Sequence, residues 1–287
     1  MERSKQKSLA EDGAVLIEGF LNSEQLARCR TVFDWCVENP GPFAVTLFPG
    51  TDKQTHNDNA NPRATQKLNE LVSSIPFGEL FANLWGSANV WYFAEEVFLK
   101  SGGKGGRTPW HQDTSYLPWA GMHWANAWIS FEAVPKPNSL EMVRGSHHGI
   151  QYDGTNFTDP NDPTAPLHGG TALPRLPDIE AKRKGDPNAY DILSWATEPG
   201  DMVVMHPGTL HGGAPVDTNF KERHTLVLRF FGDDATFRSL PSHSDSLYTP
   251  AGVLFVDQIG HLKDGEPFRS PFFTQLKGLP QRCTAQS

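Results

Sequence analysis

Trp110-His111-Gln112-Asp113-Thr114-Ser115, joined far downstream by Gly208-Thr209-Leu210-His211-Gly212-Gly213, is the pair of stretches on which the reading of this chain turns. Alternate residues of an extended strand point to the same side, so His111 and Asp113 face one point while Gln112 turns away. Two imidazoles and one carboxylate are the protein's share of a facial site on non-haem Fe(II), which leaves positions open for a co-substrate and dioxygen. The same donors also make hydrolytic zinc sites, and a non-redox metal-binding cupin would need no more. Arg223 follows His211 by twelve residues and opens the apolar run Arg223-His224-Thr225-Leu226-Val227-Leu228-Arg229-Phe230-Phe231. A guanidinium fixed on a strand is a natural clamp for the far end of a dicarboxylate, which favours iron with 2-oxoglutarate over zinc.

Working outward, the hydrophobic period is near two from Asn89 onward. Strands are expected over 90–100, 124–134, 140–143, 202–205 and 224–231, with an opening strand at 14–20. Turn clusters separate them, such as Ser101-Gly102-Gly103-Lys104-Gly105-Gly106 and Glu198-Pro199-Gly200-Asp201. Asn22 with Gln25 predicts a capping box. The helix it starts carries Leu26, Cys29, Phe33, Cys36 and Val37 on one face and ends at Asn39-Pro40. Further helical stretches are expected from Asn61-Pro62 through Ile75 and around Phe77–Trp85, packed outside a sheet. Short strands, turn signals and ligands held on facing strands point to a mainly β double-stranded β-helix, the cupin-like jelly roll, with flanking α-helices. Residues 1–287 read as a single domain. Within it, 149–195 is rich in Pro, Gly, Asp and Asn, with one helical fragment at 178–184. A loop of this length inside a domain predicts an active-site cover.

Several phrases occur together and in order: Trp110–Pro118, Trp128-Ile129-Ser130-Phe131-Glu132, Leu140–His147, Gly200–His206 and Arg223. In this the chain resembles the phytanoyl-CoA dioxygenase family of Fe(II)/2-oxoglutarate oxygenases, from Glu11 to Pro267. One departure is Pro137-Asn138-Ser139-Leu140, where the family usually has a glycine-rich phrase. The resemblance implies the jelly-roll fold, Fe(II), 2-oxoglutarate and O2 as cofactor and co-substrates, and His111, Asp113 and His211 as metal ligands. It makes Arg223 the clamp on the distal carboxylate and sets Trp128 beside the co-substrate. Asn126 and Ser130 share the strand face of Trp128, which makes Asn126 a candidate ligand of a 2-oxoglutarate carboxylate. Family position turns Glu96, Phe98 and Lys100 toward the cavity as substrate candidates, a costly burial unless the charges are paired. Thr108 and Tyr116 flank the metal motif and join that group.

Arg229 lies on the face of Arg223 and Thr225, about 20 Å from Arg223 at roughly 3.3 Å per residue. It is expected either to reach the substrate pocket or to pair with Asp233 or Asp234. The expected reaction is hydroxylation of an unactivated C–H bond of a small-molecule metabolite, with release of succinate and CO2. Cyclisation, desaturation and epimerisation are the alternatives the motifs leave open. Halogenation is disfavoured, because resembling halogenases give up the carboxylate that Asp113 supplies here.

Composition narrows the partners. Gly 26 and Pro 23 make up about 17% of the 287 residues, above the roughly 12% of average chains, as an architecture of many turns requires. A net charge of −8 and the lack of a basic block argue against nucleic acid. No 18-residue apolar run predicts a membrane span, and the N-terminus lacks the apolar segment of a signal peptide, so the expected location is cytoplasmic. Cys29 and Cys36 would lie about 10.5 Å apart on a helix, beyond a disulfide's reach, and with Cys283 they are expected as free thiols. The oligomeric state is not legible.

Overall fold

β-Branched and aromatic residues alternating across Val90–Lys100 make a strand long enough to organise a sheet, and the other strands assemble around it. The computed structural model describes residues 2–155, 162–169, 173–240 and 258–278. In chain order it comprises α1 (Glu2–Asp12), β1 (Ala14–Ile17), α2 (Ser23–Glu38), β2 (Val45–Leu47), β3 (Thr55–Asn59), α3 (Thr65–Ser74), α4 (Phe77–Trp85), β4 (Val90–Lys100), β5 (Thr108–His111), β6 (Trp119–Ala120), β7 (Trp124–Ser130), β8 (Leu140–Val143), α5 (Ile179–Gly185), β9 (Ile192–Leu193), β10 (Met202–Met205), β11 (His211–Gly213), β12 (Arg223–Gly232), β13 (Thr236–Phe237) and β14 (Gln275–Leu276). A major sheet runs β1-β10-β7-β12-β4-β3-β2, with β14 added to β4; a minor sheet runs β5-β11-β8-β9; β13 and β6 pair separately. Every strand pair is antiparallel, and the two large sheets form the jelly roll expected from the sequence.

The register of the major sheet sorts its inward side chains into rows. One row reads Leu47, Thr55, Lys100, Arg223; the next Val45, Asn57, Phe98, Thr225, Ser130. A third holds Asn59, Glu96, Val227, Trp128 and Val203, and a fourth Ala94, Arg229, Asn126 and Met205. A bulge in β4 then sets Phe93 as the extra residue between Ala94, opposite Arg229, and Tyr92, opposite Phe230, and turns Phe93 inward. Beyond it Phe93, Trp124, Phe231, Trp119, Phe268 and Phe273 cluster as an aromatic floor.

The outward face of the same strands carries Val97, Ala127, Leu226, Leu228 and Phe230, which pack under α2, α3 and α4. Phe230 meets Phe81 at 4.5 Å and Phe77 at 5.0 Å between ring centroids. Burying such a ring is worth about 2–3 kcal/mol, so this interface holds the helices against the sheet. Cys29 and Cys36 lie in it as buried free thiols, both pushed up to about 12 chiefly by burial. Cys283 lies outside the described residues.

Several expectations shift. The capping box at Asn22 and Gln25 forms as read. The next helix, however, starts at Thr65 with Ala64 as its cap, not at Asn61. Asn61 is occupied elsewhere: its side chain donates to Asn39 O and Asp58 Oδ2, and its N–H donates to Glu95. The strand expected over 124–134 stops at Ser130, and the opening strand stops at Ile17. Elements α1, β2 and β3 carry no sequence signal; Thr55-His56-Asn57-Asp58-Asn59 has poor strand propensity and is extended because β4 supplies the ladder. No helix among the described residues is long and apolar enough to cross a membrane.

Candidate metal centre

His111 and His211 are direct register partners on β5 and β11, which places their rings side by side with centroids 4.1 Å apart. Gln112 continues the extended backbone, and Asp113 follows in a 3-10 turn just past the strand, not on it. Ligand atoms of the three residues lie within 4.8 Å of one another. Asp113 Oδ1 sits 3.3 Å from His111 Nε2 and 3.7 Å from His211 Nε2. The opposite ring nitrogens are committed: His111 Nδ1 bonds Pro109 O at 2.8 Å, and His211 Nδ1 bonds Thr209 O at 2.9 Å. With Nδ1–H donating to a carbonyl, each Nε2 turns its lone pair toward the side of Asp113.

The two histidines differ electrostatically: burial opposes charge on His111, but Asp113 and the bond to Pro109 outweigh it and raise its pKa. Burial and the neighbouring His111 push His211 down to about 4. Burial disfavours charge on Asp113, but His211, His111 and Arg229 outweigh it and hold the carboxyl well below the usual range. Asn126 Nδ2 donates to Asp113 Oδ2, which leaves Oδ1 as the oxygen toward the histidines. Two imidazoles and one carboxylate converging on one point make a donor set that fits a divalent first-row metal.

Gly212 lets β11 run this close to β5. A Cβ there would come within 2.8 Å of Thr108 O and 3.1 Å of Pro109 O. Behind the ligands, Asp113 N–H donates to Pro207 O at 2.8 Å, and Gln112 Nε2 donates to Gly208 O at 2.7 Å, so the two ligand-bearing segments are tied to each other.

Arg223 lies at the start of β12, three rows from Arg229, and its side chain runs along the interior with the guanidinium 5.6 Å from the Trp128 ring. Its Nε donates to Thr225 Oγ1 and its Nη1 to Ala214 O. Among the described residues Nη2 has no acceptor and no carboxylate lies within ion-pair distance; burial pushes the group down to about 10. Lys100, its register partner, is also buried, held well below the ordinary lysine range first by burial and then by Arg223; it donates to Gly106 O, Ala214 O and Thr108 Oγ1. Burying cations without a counter-ion among the described residues is costly, and an anion in this corner would offset that cost.

The remaining candidates divide between two ends. Lys100 and Thr108 stand with Arg223, and Phe98 packs beside Trp128 in the interior. Glu96 and Arg229 pair directly at the metal end, and neither Asp233 nor Asp234 takes Arg229. Those two instead hold turns: Asp233 accepts from Ala88 and Asn89, and Asp234 from Met122 and His123. Tyr116 lies edge-on to His111, and its hydroxyl donates to Thr155 O and accepts from Thr155 N–H. Asn57 and Asn59 were missed, because nothing in a polar stretch announces a strand; Asn57 Nδ2 donates to Glu96 at 2.8 Å.

The expected cover at 149–195 includes 156–161 and 170–172, which lie outside the described residues. Its described parts take two positions. Ile150 O and Tyr152 N–H bond Gln112, directly behind Asp113. Leu176, Ile179, Tyr190 and Ile192 pack on Trp110, Val143 and Leu210, on the outer face of the minor sheet.

Residues 9–225 match the phytanoyl-CoA dioxygenase (PhyH) family. The chain belongs to that family. Among its relatives is the multifunctional dioxygenase prhA of Penicillium brasilianum, 24% identical over 222 residues, spanning 76% of this chain and 68% of that protein. The iron/alpha-ketoglutarate-dependent dioxygenase okaE of Penicillium ochrochloron is 24% identical over 240 residues, 77% of this chain and 67% of its own. Of solved structures, the epimerase SnoN in complex with Fe3+, alpha ketoglutarate and nogalamycin RO superposes with a TM-score of 0.66 at 18% identity, covering 96% of this chain and 98% of that one. At that identity the likeness carries the fold alone. Family membership makes this PhyH-family chain an iron- and 2-oxoglutarate-dependent dioxygenase, and the donor set described above fits the metal.

Proposed function

We propose that this PhyH-family enzyme hydroxylates an unactivated C–H bond of a small-molecule metabolite in the cytoplasm, with 2-oxoglutarate released as succinate and CO2. The observation that carries the reading is one interior shared by the His111, Asp113, His211 trio and a buried arginine that has no counter-ion among the described residues. Iron, 2-oxoglutarate and dioxygen supply the oxidising chemistry when bound. The protein's part is orientation and exclusion of water. His111 and His211 present their Nε2 atoms and Asp113 its Oδ1, while Asn126 keeps the second carboxylate oxygen in place. Arg223 takes the distal carboxylate of the co-substrate through its free Nη2, with Lys100 and Thr108 beside it. Trp128 walls the space between clamp and metal.

Anaerobic reconstitution tests this. The protein should bind about one Fe(II) per chain and develop a weak visible charge-transfer band on adding 2-oxoglutarate. Asp113→Ala should lose both the iron and the turnover. Full activity with zinc alone and without 2-oxoglutarate overturns the reading.

A further inference from the structure

The β2–β3 hairpin carries side chains that the metal site as described does not use. Of the six large hydrophobics exposed among the described residues, three are here: Val45 at 50%, Leu47 at 51% and Phe48 at 60%. Their register decides where they point. Val45 pairs Asn57, which pairs Phe98; Leu47 pairs Thr55, which pairs Lys100. Side chains directly opposite across a ladder share a face, so Val45 and Leu47 extend the interior face of the sheet outward past β4. Thr46 points the other way and bonds His56. Phe48 follows with a φ of 51°, a left-handed backbone uncommon for a bulky residue, and its ring is left in water. Contiguous exposed apolar side chains of this kind mark a binding surface.

The inner end of the same face is polar; Arg229 and Glu96 neutralise each other, and the Asp113 charge that also acts on Arg229 belongs to the metal site. Arg229 and Glu96 bond each other, and Asn57 and Asn59 close round them. Arg229 is 4% exposed, yet among the described residues its Nε has no acceptor and the Oδ1 of its register partner Asn126 has no donor. A carboxylate or ammonium arriving there meets charges already neutralised. A hydroxyl or carbonyl oxygen supplies what Nε lacks.

We infer that the β2–β3 hairpin is the apolar half of a two-part substrate groove, and that the substrate is an uncharged, elongated, mostly apolar molecule anchored at Arg229 by one hydroxyl or carbonyl. From Glu96 on β4 to Val45 and Leu47 on β2 is two strand spacings across and one to two rows along, about 12 Å and about 16 Å, so a compact metabolite does not reach both ends. The inference rests on the dioxygenase reading only for what happens to the substrate, not for how it binds.

The test uses alkyl methyl ketones, from methyl butyl to methyl undecyl, titrated calorimetrically into the whole protein, both metal-free and loaded anaerobically with Fe(II) and 2-oxoglutarate. Each added methylene reaching the hairpin should tighten binding about threefold to fourfold. In the Val45→Ser/Leu47→Ser double variant the gain should fall below about twofold per methylene. Thr46→Val, on the opposite face, should keep the native series. A flat series in the native protein, or tighter binding by alkanoates or alkylammonium ions of equal length, overturns the inference. So does a dimer in sedimentation that the double variant dissociates, because the face is then covered by a second copy. Iron and 2-oxoglutarate binding are measured apart: their failure beside an intact ketone series refutes the dioxygenase reading and leaves the groove standing.

Discussion

Removing each of the two interior arginines should produce opposite signatures. Arg223 is buried without a carboxylate partner, while Arg229 is bonded to Glu96. In Arg223→Ala the distal carboxylate of 2-oxoglutarate loses a charge-assisted contact worth about 1.5–3 kcal/mol, so the co-substrate dissociation constant should rise roughly tenfold to a hundredfold. The fold should barely respond, by about 1 kcal/mol or less, since Lys100 still donates to Ala214 O and an uncompensated buried cation has been removed. In Arg229→Ala the result reverses: the largely buried Glu96 is left with only Asn57, which should cost about 2–4 kcal/mol of stability, while 2-oxoglutarate affinity changes little. Arg223→Lys keeps the charge but loses the Nε bond to Thr225, and should fall between native and alanine in affinity. Calorimetric titration of 2-oxoglutarate into anaerobic Fe(II) protein, with urea unfolding of the same samples, reads both axes. A large affinity loss in Arg229→Ala with none in Arg223→Ala refutes the assignment.

Other outcomes follow from single contacts. Gly212→Ala should force β11 away from β5, since its Cβ would meet Thr108 O at 2.8 Å; Fe(II) affinity should drop at least tenfold, and native affinity would show that the sheet gives way freely. Burial lifts the Glu95 carboxyl from 4.5 to about 7, so the folded state prefers it protonated. Stability is therefore full below about pH 4.5 and is lost as pH rises through about 7, by about 3 kcal/mol at roughly 1.4 per unit. In Glu95→Gln that loss should vanish, and parallel pH–stability curves for the two proteins would contradict the buried-carboxyl account. Tyr116→Phe removes both bonds to Thr155 and should cost about 1–2 kcal/mol, speed proteolysis within 149–195, and uncouple 2-oxoglutarate decay from product formation. Unchanged proteolysis and coupling would make that stretch a passive insertion.

That His111, Asp113 and His211 come together and that Arg223 turns inward was legible, because residue type and short, strand-compatible spacing carry it. The strands at Val90–Lys100, Leu140–Val143 and Met202–Met205 were legible to the residue, since alternation of apolar side chains is a local signal. The even spacing of Arg223 and Arg229 also gave their common face and their separation along β12. It gave neither partner. Glu96 belongs to Arg229 because β4 lies beside β12, and Asp233 and Asp234, nearer in the chain, lie past the end of β12 and hold other loops. Likewise β2 and β3 are strands only because β4 offers an edge to polar residues that have little strand propensity of their own. Local pattern determines which residues can line one face. Pairing between distant segments decides which faces meet, because strand contacts are made by register and not by proximity in the chain.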